Sequence, residues 1–204
     1  MKGKINLRSL NAMETKNRLL QTSLKLFKKR GFDKVTVEDI TRYSGVSKGT
    51  FYNYFSTKEQ VLVEQFDSID LYYKQTLCLL APDTPVAERA MCFIDAMSDF
   101  CRDIWGLSFL KIVYINQISL DRHPSMLLKK DRLFYKIIED IVRQGRDEGV
   151  FTTDMPVEEQ VYLFASSARS LLYEWCLHDG EFDLKAAGRS FFARVMKLIS
   201  KPQA

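Results

Sequence analysis

Proline and glycine are scarce in this chain, 5 and 9 of its 204 residues. That scarcity argues against strand-and-turn architectures and for helices. Its four cysteines, Cys78, Cys92, Cys101 and Cys176, include no CxxC pair. Each falls inside an apolar helical pattern, so all four are expected to be buried free thiols. The two histidines, His123 and His178, lie far apart in sequence, and no metal is expected. A Ser/His/Asp or Cys/His set, a phosphate-binding loop and a paired-carboxylate motif are all missing, so neither an enzyme nor a cofactor is expected. No apolar run approaches the roughly 18–20 residues that a membrane span needs. The polar, mixed N-terminal stretch does not read as a secretory leader. The expectation is a cytoplasmic chain with no membrane partner, free of repeats and low-complexity tracts.

What is present is a large apolar fraction, 46%, enough for a substantial core. The net charge of +4 is divided unevenly. Residues 1–55 hold 12 Lys/Arg against 4 Asp/Glu, whereas the remainder is mildly acidic. A basic first quarter implies a polyanionic partner.

Helical periodicity dominates. Residues 1–12 carry little apolar pattern and read as a flexible basic arm with no role in the fold. Leu20, Leu24 and Phe27 then share a face, and Gly31 ends that helix. Thr36 precedes Val37 and Ile40, with Asp39 three positions on, a capping-box pattern. Gly45 closes this short second helix. Ser47 caps a third, running to about Tyr54. Ser56 and Glu59 form a further capping-box pattern, opening a long helix striped by Leu62, Phe66, Ile69, Tyr73, Leu77 and Leu80. Thr84 is expected to cap the next helix, with Pro85 at its first position. The stripe there is Ala90, Ile94, Met97, Cys101 and Ile104. Gly106 separates it from a helix over 107–118. Pro124 is expected to start another, ending at Gly149. Pro156 starts the next, with Val161, Phe164, Ala168, Leu171 and Trp175, and Gly180 ends it. Asp183 caps the last, with Leu184, Ala187, Phe191, Val195 and Leu198. The fold class is all-α, with about nine helices.

Three short-spaced helices followed by a long one describe a helix-turn-helix module, whose second helix enters the major groove N-terminal end first. Residues 40–47 would form the first helix and the turn, with Gly45 supplying the turn conformation and Val46 filling the angle between the helices. Lys48, Gly49, Thr50, Tyr52, Asn53 and Tyr54 would make up the reading helix. Gly49 allows close backbone approach. Lys48 can reach guanine or phosphate, and Thr50 a thymine methyl. Tyr52 and Tyr54 carry hydroxyls suited to phosphate oxygens, and Lys58 adds charge. Phe27, Val37, Ile40, Val46, Phe51 and Phe55 read as core.

Between Leu20 and Leu62 the sequence resembles the TetR family. The matching residues are Leu26–Phe27, Gly31–Phe32, Val35–Thr36–Val37, Asp39–Ile40, the dense run Gly45–Val46–Ser47–Lys48–Gly49–Thr50–Phe51–Tyr52, Tyr54–Phe55 and Lys58–Glu59. The resemblance implies operator DNA contacts by Thr36, Ser47, Lys48, Thr50, Tyr52, Tyr54 and Lys58. Tyr43–Ser44 departs from the family, which often has a small residue before the glycine; Tyr43 is expected to face solvent or DNA. The domain organisation implied is 1–58 for arm and helix-turn-helix, and 59–204 for ligand binding and dimerisation.

The C-terminal two-thirds resembles the family less specifically, through Gly149–Val150–Phe151, Pro156–Val157–Glu158–Glu159, Tyr173–Glu174–Trp175, Gly180 and Phe182–Asp183–Leu184. There the resemblance implies that the last two long helices pair with their twofold mates. The small residues 165–168 permit close helix approach, and Phe191 and Phe192 offer surplus apolar surface. The interface expected is Ala165, Ala168, Leu172, Trp175, Phe191, Phe192 and Val195. Phe93, Met97, Phe100, Trp105, Phe109, Tyr114, Phe134 and Tyr173 form an apolar, adaptable set for a ligand pocket. The function implied is a ligand-responsive transcriptional regulator, a repressor above all, that binds a palindromic operator as a homodimer and answers to an apolar or aromatic small molecule. An architectural or cell-division DNA-binding protein without a small-molecule switch is the alternative.

Overall fold

A computed structural model describes residues 7–118 and 125–201. Among the described residues the chain forms nine α-helices and no strand. It divides into two compact units, Met1–Gln65 and Phe66–Ala204. The division falls inside a helix that the sequence assigns entirely to the second part.

The first unit holds α1 (Leu7–Arg30), α2 (Val37–Ser44), α3 (Lys48–Tyr52) and the opening turns of α4 (Lys58–Leu77). Residues 7–12 are helical, in contrast to the flexible arm expected there, while 1–6 lie outside the described residues. Extending an existing helix costs far less than starting one, so a weakly apolar stretch joined to a packed helix follows it. The core is aromatic: Phe27, Phe32, Phe51 and Phe55 are buried, with Ile40, Val61 and Leu62 between them. Phe27 and Phe32 stack at 4.9 Å, and Phe51 and Phe55 at 5.5 Å. Each such ring contributes about 1.5–3 kcal/mol through burial. Val37 and Val46, expected in the core, are half-buried. The cap of α4 sits one residue later than the Ser56–Glu59 pattern implies. Gln60 N–H donates to Thr57 Oγ1 at 3.3 Å, and Gln60 Oε1 accepts from the Ser56 backbone at 2.6 Å.

The second unit continues α4 and adds α5 (Val86–Asp99), a π-helical stretch (Phe100–Trp105), α6 (Leu107–Ile118), a short 3-10 turn (Met126–Leu128), α7 (Leu133–Asp147), α8 (Val157–Leu177) and α9 (Leu184–Ile199). α5 packs on α9 and α7, and α8 on α7 and α9. Phe93 lies at their centre, against Tyr73, Phe134 and Phe164 at 5.0, 5.8 and 6.1 Å.

Several helix ends differ from expectation. Pro85, not Thr84, is the N-cap of α5, and its carbonyl accepts from Glu88 and Arg89. The free Val86 N–H instead donates to Glu148 Oε2 at 3.0 Å, a cap supplied by the end of α7. Pro124 lies outside the described residues, and α7 begins only at Leu133. The described residues before it form the 3-10 turn and a further turn, to which Arg132 is tied by its bond to the Met126 carbonyl, while it also pairs with Asp70. Residues 100–105 carry the wider π turn, with Gly106 N–H reaching back five residues to Cys101 O at 2.9 Å. That wider turn rotates the inward face by one residue. Ile104, expected inside, is 47% exposed, and Trp105 takes the interior position at 3%. In α9 the inward residues are Leu184, Gly188, Phe192, Val195 and Ile199, while Leu198 points outward.

Cys101 and Cys176 are buried, as expected, and burial pushes the Cys176 thiol up to about 11. Against expectation, Cys92 is half-buried and Cys78 is exposed, one residue off the buried stripe that ends α4 at Leu77. The end of α9 is clasped to the link between α7 and α8. Phe151 bridges Ser200, Thr152 N–H donates to Ile199 O at 2.8 Å, and Lys201 N–H donates to Val150 O at 3.0 Å.

Candidate nucleic-acid interface and ligand cavity

α2 and α3 are both started by their own side chains. Thr36 Oγ1 accepts from Asp39 N–H at 3.1 Å, and Asp39 Oδ2 accepts from Thr36 N–H at 3.2 Å, a complete capping box. These contacts, the Thr36 N–H first among them, hold the Asp39 carboxyl below its usual range. Gly45 ends α2 at φ +67°, a left-handed conformation that most side chains resist. Ser47 then starts α3, its Oγ accepting from Thr50 N–H at 3.0 Å. A tight turn between two capped helices leaves little freedom in their crossing angle.

α3 spans only Lys48–Tyr52, shorter than the run to Tyr54 that the sequence implies. Phe51 anchors it in the core. Ser47, Lys48, Gly49 and Asn53 are exposed, Tyr52 is 53% exposed, and Thr50 and Tyr54 are half-buried. Thr36 is exposed at the start of α2. A Cβ at Gly49 would meet only Ser47 Oγ, at 3.7 Å, so the chain's own packing does not require a glycine there. Lys48 pairs with Glu38 across the turn, which holds that carboxyl down and the ammonium up. Tyr43 is exposed, as expected, and its hydroxyl accepts from Arg30 at 2.8 Å. Arg30 and Arg42 flank its ring at 5.2 and 5.3 Å. Lys58 is placed differently from the other named residues. Its ammonium donates to the Phe32 and Val35 carbonyls at 2.8 and 3.0 Å and sits 4.2 Å from the Phe32 ring centre. It binds the α1–α2 turn together, which spacing alone could not reveal.

In the second unit a cavity of about 40 Å³ opens among α4, α5, α6, α7 and α8. Of the eight residues expected to line a pocket, Met97, Trp105, Tyr114 and Phe134 do so. Phe93, Phe100 and Phe109 are buried core, and Tyr173 stands on an outer groove with Ile115, Ile118 and Leu177. The sequence reading missed the polar side of this cavity. Arg132 donates from Nε and Nη2 to Asp70 at 3.0 and 2.6 Å and from Nη1 to Met126 O at 3.0 Å. Its guanidinium lies 4.6 Å from the Phe66 ring centre. Arg169 donates to Tyr135 Oη at 2.8 Å, and Tyr114 Oη donates to the Arg169 carbonyl at 2.7 Å. Among the described residues no group of three or more His, Cys, Asp or Glu side chains could hold a metal ion, and no helix is long and apolar enough to cross a membrane.

Most of the residues expected at a dimer interface lie inside the single chain. Ala165, Ala168, Leu172, Trp175, Phe192 and Val195 are buried within a single chain. They form the inward face of α8 and α9, since a stripe facing the chain's own core has the same periodicity as one facing a partner. Phe191 remains half-exposed. The outward face adds Tyr162, Tyr173 and Leu177 on α8 and Leu198 on α9, large apolar side chains that the sequence reading did not select for an interface.

The first unit is therefore a helix-turn-helix DNA-binding domain, and an all-helical unit with a mainly apolar cavity follows it. The family model described as "Bacterial regulatory proteins, tetR family" matches residues 19–64. Residues 19–64 thus carry the N-terminal domain found in TetR-family regulators. Over 50 residues it is 44% identical to the uncharacterized HTH-type transcriptional regulator YerO of Bacillus subtilis, a match covering 24% of this chain and 17% of that protein. It is 22% identical to the HTH-type transcriptional repressor KstR2 of Mycobacterium tuberculosis, over 90% of this chain and 92% of the relative. The solved structure of the transcriptional regulator FadR from Bacillus subtilis in complex with stearoyl-CoA superposes with a TM-score of 0.71 at 17% identity. It covers 89% of this chain and 98% of that one.

Proposed function

We propose that this chain is a repressor that binds a palindromic operator as a homodimer in the bacterial cytoplasm and releases it when a small apolar molecule occupies the cavity. The observation that carries the reading is α3. Phe51 fixes it to the core while Lys48, Gly49, Tyr52 and Asn53 face outward on a unit rich in positive charge. Thr36, Ser47, Thr50 and Tyr54 complete the DNA-facing set. Lys58 acts in that set mainly by fixing the turn.

One short reading helix contacts too few bases for useful specificity, and a twofold dimer doubles the contacts on a palindrome. The outward face of α8 and α9, with Tyr162, Tyr173, Leu177, Phe191 and Leu198, supplies apolar surface for a second copy of this chain. α4 is one continuous helix, and Phe66, Ile69 and Tyr73 on it line the cavity. A ligand touching those side chains favours one orientation of the helix that leads to the DNA-binding domain. It acts only through different affinities for the two orientations. The spacing of the paired reading helices must match about one turn of DNA, ~34 Å. The stearoyl-CoA named with the FadR structure, an apolar acyl chain on a charged carrier, supports a small-molecule ligand with an apolar part for this fold.

Selection of bound duplexes from a random-sequence pool tests the reading. Enrichment of a palindrome with half-sites about one turn apart, bound by a species of dimer mass in sedimentation, is expected. Enrichment of no sequence, or binding by a monomer, would refute it.

A further inference from the structure

We propose that the cavity in the second unit takes a neutral, apolar molecule carrying a hydrogen-bond acceptor, such as a ketone, ester or ether oxygen, and that Trp105 Nε1 is the donor that recognises it. The inference rests on the effector-site reading above and narrows it to a ligand class.

Trp105 is 3% exposed and lines the cavity, yet its Nε1 is buried with no hydrogen-bond partner among the described residues. An indole N–H can only donate, and buried donors nearly always have an acceptor. The other tryptophan is satisfied, Trp175 Nε1 donating to Phe182 O at 3.1 Å. The π-helical stretch is what turns Trp105 inward, and such single wide turns recur at functional sites.

The neighbouring polar groups set the ligand's charge. Two guanidiniums line this wall: Asp70 neutralises Arg132 with two hydrogen bonds and the Met126 carbonyl takes a third, while Arg169 is engaged by the Tyr135 hydroxyl at 2.8 Å. An anion entering here would find no unmatched positive charge from Arg132 and would face the Asp70 carboxylate. Burial keeps the Tyr73 hydroxyl and the Cys101 thiol protonated, so both remain donors. A pure hydrocarbon would leave Trp105 unpaired, while a carbonyl oxygen would pair it. At about 40 Å³ the cavity has room for water alone, so a larger ligand must displace side chains. Met97, unbranched and flexible, is suited to move.

The test uses the full chain with nitrogen-15 in its two indoles, and three probes of similar size: acetophenone, ethylbenzene and benzoate. Acetophenone is expected to shift the Trp105 indole resonance and to bind about three- to tenfold tighter than ethylbenzene. Trp105→Phe should erase that margin, and the resonance shift in the unaltered protein gives the answer even if the variant folds poorly. Equal binding of acetophenone and ethylbenzene with an unmoved resonance would overturn the role of Trp105 while leaving an apolar effector cavity standing. Tightest binding of benzoate would overturn the neutral class. If no probe binds, both this inference and the apolar-effector reading fall, and operator binding is untouched.

Discussion

Arg132 and Asp70, 62 residues apart in sequence, meet in a two-pronged ion pair buried in the second unit, with side chains 8% and 5% exposed. Removing one partner strands a desolvated charge, which typically costs about 3–5 kcal/mol. Asp70→Ala is expected to lower the unfolding free energy by that amount, read as a lower urea midpoint at unchanged slope. The double variant Asp70→Leu/Arg132→Met should recover most of the loss, since the pair itself contributes little against a well-packed apolar substitute. A single Asp70→Ala variant as stable as the parent would show the pair to be solvated.

Two glycines resist substitution for opposite reasons. At Gly45 a Cβ would meet nothing within 4 Å, and the obstacle is the left-handed backbone. Gly45→Val should destabilise the DNA-binding domain by about 1–2 kcal/mol or more, and Gly45→Asn by clearly less. At Gly145 the backbone is ordinary, but a Cβ would lie 2.8 Å from Phe151 Cγ and closer still to the ring edge. Gly145→Ala should cost about 1–3 kcal/mol through overpacking, and Phe151→Leu should relieve part of it. Thermal melts of the four variants distinguish a backbone cause from a packing cause.

Lys48 must share its charge between Glu38 and any phosphate it meets. Glu38→Gln is expected to tighten operator binding by roughly two- to fivefold, with the gain fading at high salt. Lys48→Ala and Tyr52→Ala should weaken binding with no loss of fold. Loss of a Lys48–phosphate contact should flatten the salt dependence by about 0.9 in log–log slope, whereas loss of the uncharged Tyr52 hydroxyl should leave the slope unchanged. Gel-shift titrations at several salt concentrations read all three, and unchanged affinity in the alanine variants would remove these side chains from the interface.

The capping box makes the first unit sensitive to acid. The folded Asp39 carboxyl titrates below its ordinary value of 3.8, chiefly because it accepts from the Thr36 N–H. The stabilisation it supplies is therefore full above that value and is lost as pH falls through the folded one. Asp39→Asn retains an acceptor for the cap but does not titrate, so its melting temperature should fall less between pH 5 and 3. Parallel acid profiles for the two proteins would contradict this.

Much of the helix-turn-helix was readable in advance, because caps are local chemistry. Thr36 with Asp39, Ser47 and Asp183 all cap as their spacing implies, and Gly45 adopts the turn conformation assigned to it. Errors arose where distant residues decide the outcome. Lys58 looks like a free surface cation until the chain folds and places two carbonyls beside it. One wide turn exchanges Ile104 for Trp105, which a fixed period cannot anticipate. On α8 and α9 an apolar stripe facing the chain's own core has the same period as one facing a partner, so spacing alone could not separate the two. The pairing of Arg132 with Asp70 leaves no trace in either local sequence.

The clasp at Phe151 and Ser200 joins the last residues described to the middle of the chain. A terminal helix ordinarily frays from its free end, yet unwinding α9 from its last turn must first break the main-chain bonds at Thr152 and Lys201. Loosening of α9 is therefore coupled to the α7–α8 link, and the last turn of this helix behaves as an interior stitch.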